Sequence, residues 1–192
     1  MKIGKIIKDT LVLFLITVVL VSILSIVKVV TQNSIDAANY AIKIKAFNEV
    51  CPNYSSSENI VDDLVGASAG YNASLYGDDS ILRCKNEAGE LIGYIVQTTS
   101  KGYGGPINLI VGFDKTGKIT GVRFASIPEE TPGIGMKATD QSFIDSWINH
   151  NSNNISEVDT ISGATYTSTA FQQAISLACM FANRAVTLDG GV

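Results

Sequence analysis

Histidine, tryptophan and proline are scarce in this chain of 192 residues, at one, one and four copies, and the three cysteines Cys51, Cys84 and Cys179 show no CxxC spacing. A structural zinc or iron–sulfur centre needs clustered thiolates and imidazoles. With His150 the single histidine, neither is expected and no metal ligands are assigned. Basic residues are also sparse beyond Lys28, ten against 17 acidic ones, a formal charge of −7. That sign excludes nucleic acid as a partner, whose phosphate backbone demands a basic patch. Charge of either sign is missing altogether from Thr10 to Val27, which reads TLVLFLITVVLVSILSIV.

That uncharged run continues past Lys28 into Val29 and Val30, matching the roughly 20 residues a helix needs to span a bilayer. Lys2, Lys5 and Lys8 precede it, so a cleaved signal peptide competes. Such a peptide has an apolar stretch of about 7–15 residues ending at a small-x-small site. Here the run is longer and ends in Lys-Val-Val-Thr-Gln, which favours a retained anchor in the lipid bilayer. Lysines before the span place the N-terminus in the cytoplasm and the body outside. The expected division is 1–9 cytoplasmic, 10–30 transmembrane, 31–52 a stalk helix and 53–192 one extracytoplasmic domain. With 46% hydrophobic and 17% charged residues, wholesale disorder is not expected. In an oxidising compartment Cys51 and Cys84 could pair while Cys179 sits in a helix core; three buried free thiols are the equal alternative.

Helical periodicity with Ile35, Ala38, Ile42 and Ala46 on one face predicts a helix over Ser34–Val50, stopped by Pro52. Asn53–Asp79 is rich in Ser, Asn, Asp and Gly and reads as loop with room for a short strand. Ile81–Cys84, Leu91–Thr99, Leu109–Phe113 and Ile119–Ile127 read as strands. Asn86–Tyr94 and Asp114–Val122 align at an offset of 28, matching Gly89 with Gly117 and Gly93 with Gly121. That repeat predicts two hairpins in one antiparallel sheet, each turning at a glycine with positive φ; short turn chemistry recurring by chance would look the same. Phe143–Ile148 is a short candidate helix and 149–154 a polar loop that exposes His150. From Thr167 to Val186, Phe171, Ala174, Ile175, Ala178, Phe181, Ala182 and Ala185 share one face. An α+β fold follows, with an antiparallel sheet packed by helices after one N-terminal transmembrane helix.

The stretch Asp159-Thr-Ile-Ser-Gly-Ala-Thr-Tyr-Thr-Ser combines a glycine turn, hydroxyls and the start of an amphipathic helix. Free N–H groups at a helix start seat an anion, although the same Ser and Thr serve equally as N-caps. Gly102–Ile107 and Glu130–Gly135 are further Gly/Pro turns where backbone can approach a flat ligand closely, or plain loop punctuation. Trp147, Tyr103 and Tyr166 are candidates for stacking or for core, with core favoured for Trp147. Lys101 and Lys137 are candidate counter-charges or solvated lysines.

These three stretches resemble the covalent FMN-binding domain family found in the G subunit of the Rnf complex and the C subunit of the sodium-translocating NADH:quinone reductase. Asp159 with Ser162-Gly163-Ala164-Thr165 matches its D-x-x-S/T-G-A-T motif. Gly102-Tyr-Gly-Gly-Pro-Ile and Glu130-Thr-Pro-Gly-Ile-Gly match G-Y-G-G-P-I and E-T-P-G-L-G, with Ile134 departing from the usual Leu. The resemblance implies FMN esterified through its phosphate to Thr165 by a flavin transferase that uses FAD. It implies that Ser162 bonds the phosphate, that Gly163 permits the turn, that Ala164 lies with them at the cofactor, and that Asp159 supports the loop or its recognition. It further implies that Glu130, Thr131 and Gly133 lie at the ring, the GYGG loop being support; an acidic Glu130 near the flavin would disfavour its anionic reduced form. Chain length and the link from anchor to domain look more like the Rnf G subunit. The implied role is an electron-carrying subunit, without acid–base catalysts of its own, in a membrane complex coupling ferredoxin:NAD electron transfer to sodium or proton movement, with the other Rnf subunits as partners. A stand-alone anchored FMN-dependent reductase and a flavin-free scaffold are the competing classes.

Overall fold

In the computed structural model, residues 3–65 and 81–190 are described. The chain divides into two units, Met1–Ala41 and Ile42–Val192. The first is made of the N-terminal part of helix α1 (Ile3–Val50), whose last residues belong to the second. Anchor and stalk were expected as separate elements. They form one helix because no Pro or Gly lies between Gly4 and Pro52 to interrupt the i to i−4 ladder. Asp9–Gln32 is long and apolar enough to cross a membrane. Its large side chains face outward, Phe14 67% and Leu24 68% exposed, an apolar surface of the kind that marks a membrane or protein contact.

The second unit is built on a meander of β1 (Ser56–Asn59), β2 (Ile81–Lys85), β3 (Leu91–Lys101), β4 (Pro106–Asp114) and β5 (Ile119–Phe124), all antiparallel and in sequence order. The short strand expected after Asn53 is β1, followed by α2 (Val61–Val65); the rest of that loop, 66–80, lies outside the described residues. The two repeated turns share one geometry. Gly89 and Gly117 have φ of 78° and 81°, and their N–H groups donate to Asn86 and Asp114 carbonyls at 2.9 and 3.1 Å. A third hairpin joins them: β3 pairs with β4 from Gly93↔Asp114 to Lys101↔Pro106. The GYGG segment is its turn, closed by Gly102 N–H on Gly105 C=O at 2.9 Å.

Alternation along the strands sends side chains to two separate layers. Tyr94, Val96, Leu109 and Val111 pack with α4 (Thr165–Leu188), whose Phe171, Ala174, Ile175, Ala178, Phe181, Ala182 and Ala185 are buried as the periodicity predicts. Ile95, Leu82 and Ile110 face the other way, onto Ala46, Phe47 and Val50 at the end of α1. Of the expected stalk face, Ala46 is buried, Ile42 is half-buried and Ala38 is exposed; the Ile35 side chain lies outside the described residues. Glu49 reinforces this dock, and its hydrogen bond with Arg123 holds its carboxyl below the ordinary value. α3 (Gln141–Asp145) presents Phe143 and leads to buried Trp147, and both rings lie against Phe171. His150 is half-buried rather than exposed, since its carbonyl accepts the Ile119 N–H at 2.9 Å.

All three cysteines are buried and free, the second of the two alternatives. Cys51 and Cys84 lie in one apolar cluster, and the hydrogen bond to Cys51 together with burial pushes the Cys84 thiol up. Burial alone pushes Cys179 up to about 12.

The end of α4 is tied to the sheet by charge. Asp189 accepts from Arg83 Nε at 2.9 Å and from the buried Tyr94 hydroxyl at 2.7 Å, with a second ion pair to Arg83 Nη2. Burial raises the Asp189 carboxyl, but the Arg83 and Tyr94 hydrogen bonds outweigh it and hold the group below its usual value. A depressed carboxyl pKa adds stability that is complete above the unfolded value and lost as pH falls through the folded one. Asp189→Asn is therefore expected to lower the guanidinium midpoint near neutral pH. Its difference from the wild type should shrink as the pH is taken down through and below the ordinary carboxylate range, as chemical melts across that range would measure.

Candidate functional site

Three segments converge at the N-terminal end of α4. The turn before the helix has Gly163 at φ 80°, where a side chain would be strained by roughly 1–2 kcal/mol. Ser168 staples this turn from inside the helix: its hydroxyl donates to Ala164 C=O and accepts the Ile161 N–H, both at 2.9 Å. The helix cap, Ala164, has no side-chain capping bond. The first-turn N–H groups are thus left without the side-chain acceptor that an N-cap Ser or Thr normally supplies. Thr165, the first helical residue, is exposed, and its hydroxyl has no hydrogen-bond partner among the described residues.

A cleft of about 400 Å³ opens at this point, lined by Thr165, Tyr166, Gly163, Ala164, Tyr103 and Thr131 among others. A second cleft of about 450 Å³ shares Thr165 and Tyr166 and is bordered by Lys101 and Gln173. Tyr103 and Tyr166 are 73% and 69% exposed, and their rings meet edge to face at 6.4 Å. They are rim residues, whereas Trp147 is core at 1% exposure.

Glu130 sits behind this rim, 8% exposed. Its Oε1 accepts the Tyr103 and Gly104 N–H groups at 2.9 and 3.4 Å, and its Oε2 accepts the Thr167 hydroxyl at 2.8 Å. Glycine suits the position beside it, because a Cβ on Gly102 would overlap Oε1 and come within 2.8 Å of the Gly105 carbonyl oxygen. Glu130 was expected at the ring; it spends both carboxylate oxygens on the protein itself.

Of the residues singled out from sequence, Thr165, Ala164, Gly163 and Thr131 line the first cleft together, whereas Ser162, Glu130 and Gly133 do not. Ser162 is exposed one residue before the turn glycine. Gly133 has a φ of 74° in the 130–135 loop. Asp159 is exposed and borders a different cleft with His150 and Glu157. Lys101 reaches the second Thr165 cleft and Lys137 reaches neither. Sequence reasoning missed Thr167 and Ser168, both buried. The available signal was their spacing, four and three residues before Phe171, which puts two hydroxyls on the apolar face of α4. Among the described residues no three His, Cys, Asp or Glu side chains converge as metal ligands.

Residues 102–179 match the FMN-binding domain family. The chain is 31% identical over 153 residues to the G subunit of the ion-translocating oxidoreductase complex of Haemophilus influenzae (strain PittEE), covering 71% of this chain and 70% of that protein. It is 30% identical over 132 residues to the G subunit of the Na(+)-translocating ferredoxin:NAD(+) oxidoreductase complex of Acetobacterium woodii, covering 67% of this chain and 63% of that one. Among solved structures, the C subunit of the Na(+)-translocating NADH-quinone reductase from Parabacteroides distasonis aligns at TM-score 0.46 and 21% identity, over 56% of this chain and 62% of that one.

Proposed function

This chain belongs to the family of G subunits of ion-translocating oxidoreductase complexes, and from that membership we propose that it carries FMN as a phosphodiester on Thr165 and relays electrons within such a complex. FMN is the cofactor of the domain family that residues 102–179 match. The observation that carries the attachment reading is the exposed Thr165 hydroxyl, without a partner among the described residues, at an uncapped helix start and facing a cleft of about 400 Å³. That volume is within the usual range for small-ligand sites. The N–H groups of the first turn and the Lys101 ammonium are placed to meet a phosphate charge, and Tyr103 and Tyr166 offer aromatic surface for a flat ring. When bound, FMN supplies one- and two-electron redox chemistry. The chain binds and orients it; no side chain here acts as an acid or base. The Thr165 hydroxyl has no hydrogen bond to an activating base among the described residues, consistent with attachment by a separate FAD-dependent transferase, for which Asp159 and Ser162 lie exposed.

The relatives' names place their G subunits in ferredoxin:NAD(+) oxidoreductases that translocate sodium or protons, and the same role is proposed for this chain with the other complex subunits as partners. Residues 10–30 would anchor it in the cell membrane as a single span, with 1–9 cytoplasmic, 31–52 as the stalk and 53–192 outside, following the lysine bias. A flavin held by a covalent bond survives denaturation. The full chain co-expressed with a flavin transferase is expected to give a fluorescent band on a denaturing gel, and to be digested by protease added to spheroplasts. A dark band despite an active transferase contradicts the attachment, and protection from the protease contradicts the orientation.

A further inference from the structure

We propose that Glu130 is a positioning residue for the flavin: its buried carboxylate locks the Tyr103 turn onto the first turn of α4, so that Tyr103 and Tyr166 frame the ring of the group held at Thr165. This role rests on the proposed attachment of FMN to Thr165. Three of the four turn residues, 102–105, are glycine, the residue type with the most backbone freedom to lose on ordering. One internal hydrogen bond closes the turn, from Gly102 N–H to Gly105 C=O. Such a turn does not by itself hold an exposed tyrosine in one place.

Glu130 supplies the missing constraint. Its Oε1 takes the N–H of Tyr103 and that of Gly104, and its Oε2 takes the hydroxyl of Thr167. One side chain thereby joins the β3–β4 turn, the 130–135 loop and α4. Hydrogen bonds to a charged acceptor are the strong kind, and burial at 8% exposure keeps water from competing for them. The backbone is shaped to admit the carboxylate: a Cβ on Gly135 would come within 2.6 Å of Oε2, besides the overlap at Gly102. Thr167 follows Tyr166 directly, so the two ends of the clamp lie at the bases of the two rim aromatics, whose rings stand 6.4 Å apart. Fixing both backbones fixes the aromatic walls of the cleft that Thr165 shares.

The test uses the full chain in detergent, co-expressed with a flavin transferase, as wild type, Glu130→Gln, Glu130→Ala and Thr167→Val. The glutamine amide can keep its oxygen on the two N–H groups and turn its nitrogen to the Thr167 oxygen, so it preserves the clamp. Alanine removes the clamp, and valine at 167 removes the Oε2 contact with little change of shape. Peptide mass is expected to show FMN on Thr165 in all four. Flavin fluorescence should be quenched and strongly polarised in wild type and Glu130→Gln. In Glu130→Ala it should be several-fold brighter, less polarised and more readily quenched by iodide, with Thr167→Val between. Folded Glu130→Ala and Thr167→Val proteins whose flavins match wild type in all three signals would overturn the positioning role while leaving the attachment intact. If Glu130→Ala does not fold, wild-type flavin signals in Thr167→Val alone overturn it. A wild-type chain with no adduct on Thr165 overturns the attachment reading, and the positioning role with it.

Discussion

If the chain relays electrons from a flavin on Thr165 as proposed, Thr165→Ala is expected to reduce ferredoxin:NAD electron flow through its membrane complex to the level of a strain lacking this protein, with the complex still assembled. The side chain lies on the surface and has no hydrogen-bond partner among the described residues. Its loss should therefore change the stability of the chain by no more than about 0.5 kcal/mol. The combination is the informative part. A substitution that acts by unfolding lowers both stability and activity, and one that removes an attachment point lowers only activity. Thr165→Ser keeps a hydroxyl at the same place on the helix and should retain part of the flow. Membrane vesicles assayed for electron transfer, alongside a melt of the purified chain, check both halves. Unimpaired flow with Thr165→Ala would mean that electrons pass without a group on that residue.

The largest loss of stability is expected from Phe171→Ala. Phe171 is fully buried on α4, with Phe124, Phe143 and Trp147 rings around it at 5.8, 5.1 and 5.6 Å. Truncating such a ring costs the transfer of its surface and leaves a cavity, together about 3–5 kcal/mol. For a unit of this size the melting temperature should fall by on the order of 10 °C. Trp147 is the single tryptophan, so its emission reports the same site and should shift red as the packing loosens. A change under about 1 kcal/mol would show that the aromatic cluster collapses to fill the gap.

Much of this fold is readable from local pattern. The apolar face of α4 is a 3.6-residue period, and Gly89 and Gly117 mark two turns that have the same hydrogen bonds. The misses have physical causes. β4 begins at Pro106, three residues before the run Leu109–Phe113, because proline reads as a turn although a strand tolerates it as first residue. β5 ends at Phe124, while Ala125 keeps only an N–H bond to Asn108. α1 continues through the polar residues after Thr31 because backbone hydrogen bonding needs no apolar pattern to persist, only the absence of a breaker. At the site, the helix start and its glycine turn are local and visible. The Glu130 clamp is not: its partners lie 27, 26 and 37 residues away, a separation that no periodicity encodes.

The most direct test of the account is intact mass followed by peptide mapping of the full chain co-expressed with a flavin transferase, compared with Thr165→Ala. The attachment predicts an added mass of about 438 Da, that of FMN less water, confined to the peptide containing Thr165 and absent from the variant. An unmodified wild-type mass beside a transferase active on another acceptor, or the same added mass on a different residue, would contradict it.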